Sequence, residues 1–146
     1  CFMTDAKMQL VQSWLIKAQH DLTSARVLAA HTPPLLETAI YHCQQAAEKA
    51  LKGYLAFCDR EIERVHDLEV LVRAAQMDAP AFTDWTAAAI RLTPYTRLYR
   101  YPGYASEPSQ QQFAQALTDA EGLYAFVLSL LPQDARPESE YRDQAG

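Results

Sequence analysis

Apolar side chains recur every three or four residues near the start of the chain, over a stretch with neither proline nor glycine. This spacing places them on one face and predicts a long amphipathic helix. Thr4 and Asp5 can cap its beginning, and Pro33 and Pro34 end it near Ala30, because proline cannot donate a backbone hydrogen bond. The apolar face comprises Leu10, Val11, Trp14, Leu15, Ala18, Leu22, Ala25 and Leu28. Such a face must be buried against other elements.

Four further segments show the same helical spacing. They cover residues 35–58, the region after His66 and Asp67, residues 80–92 and residues 109–131. Only four glycines are present, fewer than the turns of an all-β protein require, and no segment predicts a strand. The sequence therefore predicts an all-α fold, an antiparallel up-and-down bundle of about five helices, of which three are long and two are short.

The predicted helices form one domain that covers residues 4–131. Beyond Pro132 the chain is polar and without helical period, so we expect residues 132–146 to form a flexible tail. Cys1 and Phe2 precede Met3, which has the character of an initiator, and we expect residues 1–2 to be an expression scar.

Charge and composition restrict the class of function. The net charge of -5 argues against a protein that coats nucleic acid over its whole surface. No apolar run is long enough to span a bilayer and no signal peptide is evident, so we expect a cytoplasmic protein without membrane contact. The histidines and cysteines lack the spacing of metal ligands, and we predict no metal and no obligatory cofactor.

One stretch of the second predicted helix, AIYHCQQAAEKALKGYL at residues 39–55, resembles the second helix of HEPN domains. The opening WLIKAQHDLTSARVL, the later HDLEVL, the loop RYPGY and the final QALTDAEGLYAFVLSLL resemble the corresponding family segments in the same order. The resemblance covers roughly residues 8 to 131. It implies a HEPN-like helical bundle.

The same helix carries four polar residues on one face, Gln45, Glu48, Lys49 and Lys52, at helical spacings of three and four residues. One interpretation is a solvated face with ion pairs such as Glu48 with Lys52. The other is a polar pocket or a partner-facing surface that binds a nucleotide. The residues alone leave both open.

A second candidate site is the segment PYTRLYRYPGY, residues 94–104, which we name the connector. It combines arginines with tyrosines: Arg97, Arg100, Tyr95, Tyr99, Tyr101 and Tyr104. Guanidinium groups bind phosphate in pairs of hydrogen bonds, and phenol rings stack on bases, so the connector suits a nucleotide or a single RNA strand. A loop packed across a homodimer axis would have the same composition.

Many HEPN proteins are metal-independent ribonucleases with an arginine followed, after four to six residues, by a histidine. This chain departs from that pattern, because no histidine follows His66. Tyr104 would be a poor general base at neutral pH, since the pKa of tyrosine is about 10. Weak candidates for a catalytic role are Arg100, Tyr104 and His42.

The resemblance implies a nucleotide-binding protein that is the partner of a minimal nucleotidyltransferase in a two-gene, toxin-antitoxin-like module. In that interpretation ATP or a related nucleotide contacts the connector, or a connector tyrosine accepts an adenylyl group. The alternative is a metal-independent RNase toxin, and a further alternative is an oligomeric scaffold without a ligand. We expect a homodimer, and a binding protein rather than an enzyme that acts alone.

Overall fold

The structure is a computed structural model that describes residues 4–62, 64–103 and 106–138. Five α-helices are present in this part of the chain: α1 Asp5–Ala30, α2 Leu36–Phe57, α3 Leu68–Gln76, α4 Thr86–Leu92 and α5 Gln110–Leu130. Three short 3-10 helices span Pro80–Trp85, Thr93–Thr96 and Gln133–Ala135. The described residues contain no strand. The predicted all-α bundle with three long and two short helices is confirmed.

Helix caps explain where several helices begin. The Thr4 side chain accepts a hydrogen bond from the backbone N–H of Lys7 at 3.1 Å. Asp67 caps α3 in the same way, and Ser109 forms a reciprocal capping box with Gln112 at the start of α5. These side chains satisfy backbone donors that the first helical turn leaves without partners. The predicted boundaries of the three long helices agree with the observed ones within one or two residues.

Helices α1 and α2 are joined by a short corner and run antiparallel. Trp14, in the first half of α1, packs on Gly53 near the end of α2, where a Cβ atom would lie 3.2 Å from that of Trp14. Asp21, further along α1, contacts Lys49, which is earlier in α2. The close approach at Gly53 lets the two backbones come together, so that most of both apolar faces is buried. Leu10, which the spacing placed on the apolar face of α1, is instead 50% exposed.

Helix α5 also runs antiparallel to α1. Arg26, near the end of α1, lies 3.6 Å from Glu121 in α5, and Gln12, near the start of α1, donates to the carbonyl of Asp134 beyond the end of α5. Helices α2 and α5 therefore run in the same direction. The shorter helices between α2 and α5 bring the chain back to the end of the bundle at which α5 begins. The Trp85 ring, at the end of the first 3-10 helix, packs against Gly122 of α5.

The segment after α5 differs from its prediction. A flexible tail was predicted from Pro132 onward, whereas residues 133–135 form a 3-10 helix and Ala135 is completely buried. The Arg136 guanidinium donates to the carbonyl of Leu131 at 3.0 Å. The prediction is therefore wrong for residues 132–138, because this segment packs along α1. Residues 1–3 and 139–146 lie outside the described residues.

The region predicted as the fourth helix begins as a 3-10 helix at Pro80–Trp85 and continues as α4. Its Phe82 is completely buried, and its ring centre lies 4.8 Å from those of both Tyr54 and Phe126. This aromatic cluster joins α2 to α5.

Cys43 belongs to the same core, and burial is the main cause that raises the pKa of its thiol to about 12. Cys43 is therefore a buried core residue and not a nucleophile.

Candidate functional site

The connector folds back against the first half of α2. Its beginning lies in the 3-10 helix Thr93–Thr96, and the backbone N–H of Arg100 donates to the carbonyl of Arg97 at 3.1 Å. The rings of Tyr95 and Tyr99 stack with their centres 6.0 Å apart. Burial raises the pKa of the Tyr95 phenol above its ordinary value. The connector is thus an ordered series of turns over its described residues, 94–103.

Arg100 reaches α2, where its Cζ atom lies 4.6 Å from the centre of the Tyr41 ring. This is the geometry of a cation–π interaction. The two side chains border a cavity of about 240 Å³, which we name the connector cavity. It is lined by Glu37, Thr38, Tyr41, His42, Tyr99 and Arg100. Within the described residues Arg100 forms no ion pair, so its guanidinium N–H groups have no carboxylate acceptor there.

A buried carboxylate fixes the orientation of His42. Asp21 of α1 is buried, and its Oδ1 atom lies 2.7 Å from Nδ1 of His42. Its Oδ2 atom accepts a hydrogen bond from Nζ of Lys49 at 2.6 Å. An ionised carboxylate only accepts, so Nδ1 of His42 carries a proton. The second ring nitrogen, Nε2, has no partner in the part of the chain that the structure describes.

A second buried network surrounds Glu48. Its Oε1 atom accepts from Nδ1 of His66 at 2.9 Å and from Nε2 of Gln44 at 3.3 Å. Its Oε2 atom accepts from Nζ of Lys52 at 3.2 Å. Glu48 is only 4% exposed and Lys52 only 7%. The interpretation of Glu48 and Lys52 as a solvated surface pair is therefore wrong: they are an ion pair inside the protein, shielded from solvent.

Gln45 and Lys49 remain partly exposed on the same face of α2. Nε2 of Gln45 donates to Oε1 of Gln44 at 2.7 Å, and Lys49 is held by Asp21. The structure thus arranges the four polar residues of the predicted face in two networks, one centred on Glu48 and one on Asp21. Neither lysine offers an unpaired charge to a ligand in this arrangement.

Arg97 and Tyr101 lie on a different side of the connector from Arg100. With Leu98 and Pro102 they border a shallow cavity of about 670 Å³. Tyr101 is 60% exposed. Arg97 and Arg100, which are only three residues apart in the sequence, therefore face different surroundings. Tyr104 lies outside the described residues, so its predicted contribution stays a prediction.

Two residues of this region have roles that sequence reasoning missed. Asp21 was not singled out, although it lies three residues after Ala18 and four before Ala25, within the apolar face of α1. An acidic residue at such a position is a signal that it has a buried partner. His66 directly precedes Asp67, which caps α3, and the His66 ring contacts Glu48 of α2.

Metal ligation and membrane insertion find no support among the described residues. There, no group of three or more histidine, cysteine, aspartate or glutamate side chains is arranged to hold a metal ion. Nor is any helix of that part of the chain both long enough and apolar enough to cross a bilayer.

The fold and the cavity define a helical bundle in which an arginine-bearing connector packs on the second long helix. The family model for the HEPN domain matches residues 11–130. The chain belongs to the HEPN domain family.

Solved structures agree with this assignment. The protein TT1696 from Thermus thermophilus is 27% identical, with a TM-score of 0.73, and the match covers 83% of this chain and 98% of that one. ST0689, described as an archaeal HEPN homologue, is also 27% identical, with a TM-score of 0.65 and coverage of 82% and 96%. The comparison with curated proteins found no match.

Proposed function

We propose that this HEPN protein binds a nucleotide in the connector cavity and acts, in the cytoplasm, as the partner of a minimal nucleotidyltransferase in a two-gene, toxin-antitoxin-like module. One observation carries the proposal. The Arg100 guanidinium, which has no carboxylate partner among the described residues, borders the same cavity as the His42 ring. A guanidinium that forms no ion pair, next to hydrogen-bonding and aromatic side chains, is suited to an anion that carries a ring.

In this proposal four of the groups that line the cavity have separate tasks. Arg100 supplies paired N–H donors for phosphate oxygens. Tyr99, which is partly buried, offers an aromatic ring on which a base can stack. The Thr38 hydroxyl and Nε2 of His42 add hydrogen-bond groups that fix the orientation of the ligand. No glycine-rich phosphate loop is needed, because side chains hold the ligand.

The partner role rests on the resemblance to compact HEPN proteins, and the outer side of the connector supports it. Leu98 and Tyr101 are exposed there beside Arg97. Exposed aromatic and aliphatic side chains next to an arginine are typical of protein interfaces. Tyr101 also presents a hydroxyl that could accept an adenylyl group, as could Tyr104. In this proposal the protein forms a homodimer, and the transferase docks on the same helical surface.

Calorimetry with ATP and other nucleotides tests the binding step. Arg100→Ala should abolish measurable binding, because the phosphate loses its only charged donor in the cavity. Arg97→Ala is the matched control: it removes the same side chain from the same connector, and it should leave nucleotide affinity unchanged. If the wild-type protein binds no nucleotide, the proposal fails, and the ligand-free oligomeric scaffold becomes the better interpretation.

The partner step has its own test. The protein is incubated with ATP and the nucleotidyltransferase encoded next to it, and adenylyl groups are located by mass spectrometry. Modification of a connector tyrosine, lost in Tyr101→Phe or Tyr104→Phe, would support the proposal. A stable complex that Arg97→Ala weakens would support docking at the outer side of the connector. If the experiment yields no complex and no modification, the partner role is contradicted.

A metal-independent ribonuclease is the second candidate, and one observation favours it. Asp21 orients His42 so that its Nε2 atom is unpaired in the described structure, and His42 shares the cavity with Arg100. An imidazole held by a carboxylate is suited to proton transfer at a ribose hydroxyl. RNA cleavage in the presence of a chelator, abolished by both His42→Gln and Arg100→Ala, would establish this function. Intact RNA after incubation with the wild-type protein would exclude it.

A further inference from the structure

The charges that line the connector cavity nearly cancel. Arg100 contributes one positive charge, and Glu37, in the first turn of α2, contributes one negative charge. The nearby Lys49 ammonium is already paired with Asp21, and Lys52 is paired with Glu48. Arg97 borders a different cavity. A ligand in the connector cavity therefore meets one available cation and one opposing carboxylate.

The cavity is also small. Its volume of about 240 Å³ is below the range of roughly 300–1,000 Å³ that is typical of sites for drug-sized ligands. A base with its ribose and one phosphate is close to the limit of such a space. A triphosphate chain would have to extend out of the cavity, and each additional phosphate would add negative charge near Glu37 without a second cation to offset it.

We infer that the connector cavity is selective for a ribonucleotide unit with a single phosphate, and that Glu37 is the residue that disfavours di- and triphosphates. This inference rests on the proposed function and specifies its ligand. The single phosphate pairs with Arg100, while the Glu37 carboxylate accepts hydrogen bonds from hydroxyl or amino groups of the ligand. The unit is supplied either by a free nucleoside monophosphate or by a short RNA, since both offer one phosphate group per nucleoside.

The test compares affinities for mono- and triphosphates. The four common ribonucleosides are titrated as monophosphates and as triphosphates, with a dinucleotide as the RNA arm, at constant ionic strength and in chelator. The wild-type protein should bind a monophosphate or the dinucleotide at least as tightly as the corresponding triphosphate. Glu37→Gln should raise affinity for the triphosphate roughly tenfold, a change of about 1.4 kcal/mol, and affinity for the monophosphate by less than about threefold.

Asp84→Asn is the control variant. It removes one negative charge from an exposed residue that does not border the cavity, and it should leave the ratio of the two affinities unchanged. Circular dichroism of both variants establishes that the helical fold is retained.

The outcomes separate the inference from the proposed function. If the triphosphate binds more tightly than the monophosphate and Arg100→Ala abolishes that binding, the cavity is a nucleotide site but the inference of single-phosphate selectivity is overturned. If Glu37→Gln leaves the ratio unchanged, the role of Glu37 is overturned. If none of the nucleotides and no dinucleotide binds, both the proposed function and the inference are contradicted. Binding of the dinucleotide without the monophosphates would identify RNA as the source of the unit.

Discussion

The guanidinium carbon of Arg100 lies 4.6 Å from the centre of the Tyr41 ring, and this contact joins the connector to α2. Arg100 itself is exposed, and its described surroundings hold no carboxylate partner for it. The aromatic face therefore holds the guanidinium at the cavity without neutralising its charge. A carboxylate in the same position would hold it too, but would compete with the phosphate of a ligand.

Replacing Tyr41 tests this arrangement. Tyr41→Leu should weaken nucleotide binding about two- to fivefold, because a cation–π contact at an exposed site contributes about 0.5–1 kcal/mol. Tyr41→Phe keeps the ring and should bind as the wild type does. The measurement is calorimetric affinity at constant ionic strength. Equal losses in both variants would show that the phenol hydroxyl, and not the ring face, is the group that matters.

The buried ion pair of Glu48 and Lys52 yields a prediction about stability. Glu48→Ala should lower the free energy of unfolding by about 3–5 kcal/mol, because it leaves the Lys52 ammonium buried without a counter-charge. The double variant Glu48→Leu, Lys52→Met removes both charges and should recover most of that loss. Urea unfolding of the three proteins measures the effect. A loss below about 1 kcal/mol in Glu48→Ala would indicate a solvated pair.

Asp78 yields a prediction about pH. Arg60 donates two hydrogen bonds to its carboxylate, one of them at 3.2 Å, and this bonding lowers the pKa of Asp78 below its ordinary value. A carboxyl group whose pKa is lower in the folded state stabilises the fold above its unfolded pKa, about 3.9, and loses that contribution as the pH falls through the folded pKa. Asp78→Asn should therefore be less stable than the wild type at neutral pH.

The difference in the free energy of unfolding between the wild type and Asp78→Asn should shrink as the pH falls below about 4, because the wild type then loses the contribution of the Asp78 carboxylate. Urea unfolding at a series of pH values measures it, with Asp84→Asn as the control for a solvent-exposed carboxylate. A difference that stays constant over the whole pH range would contradict the assigned role of Asp78.

The long helices could be predicted because their signals are local. Thr4, Asp67 and Ser109 cap helices through backbone groups two or three residues away, and Pro33 and Pro34 prevent continuation of the first helix wherever the rest of the chain lies. The 3-10 geometry of Pro80–Trp85 was not predicted, because a proline in the first turn suits either type of helix. Which of the two geometries this segment adopts depends on its packing against α3 and α5.

The site was less predictable because it depends on distant partners. Glu48 and Lys52 have the four-residue spacing of an exposed ion pair, whereas their partners are distant in the sequence: Glu48 contacts His66, and Lys52 lies over the ring of Trp14. Similarly, Arg97 and Arg100 look equivalent in the sequence. Their different directions follow from the turns of the connector and from the position of Tyr41 on α2, neither of which has a periodic signal.

Side-chain nitrogen NMR during a nucleotide titration tests the central claim most directly. The Nε–H signal of Arg100, identified by its loss in Arg100→Lys, and the ring nitrogens of His42 are followed as a nucleoside monophosphate is added. We predict that both shift and saturate with one affinity, while the Nε–H signal of Arg97 does not move. Saturable binding that shifts Arg97 and leaves Arg100 and His42 unchanged would contradict a nucleotide site in the connector cavity.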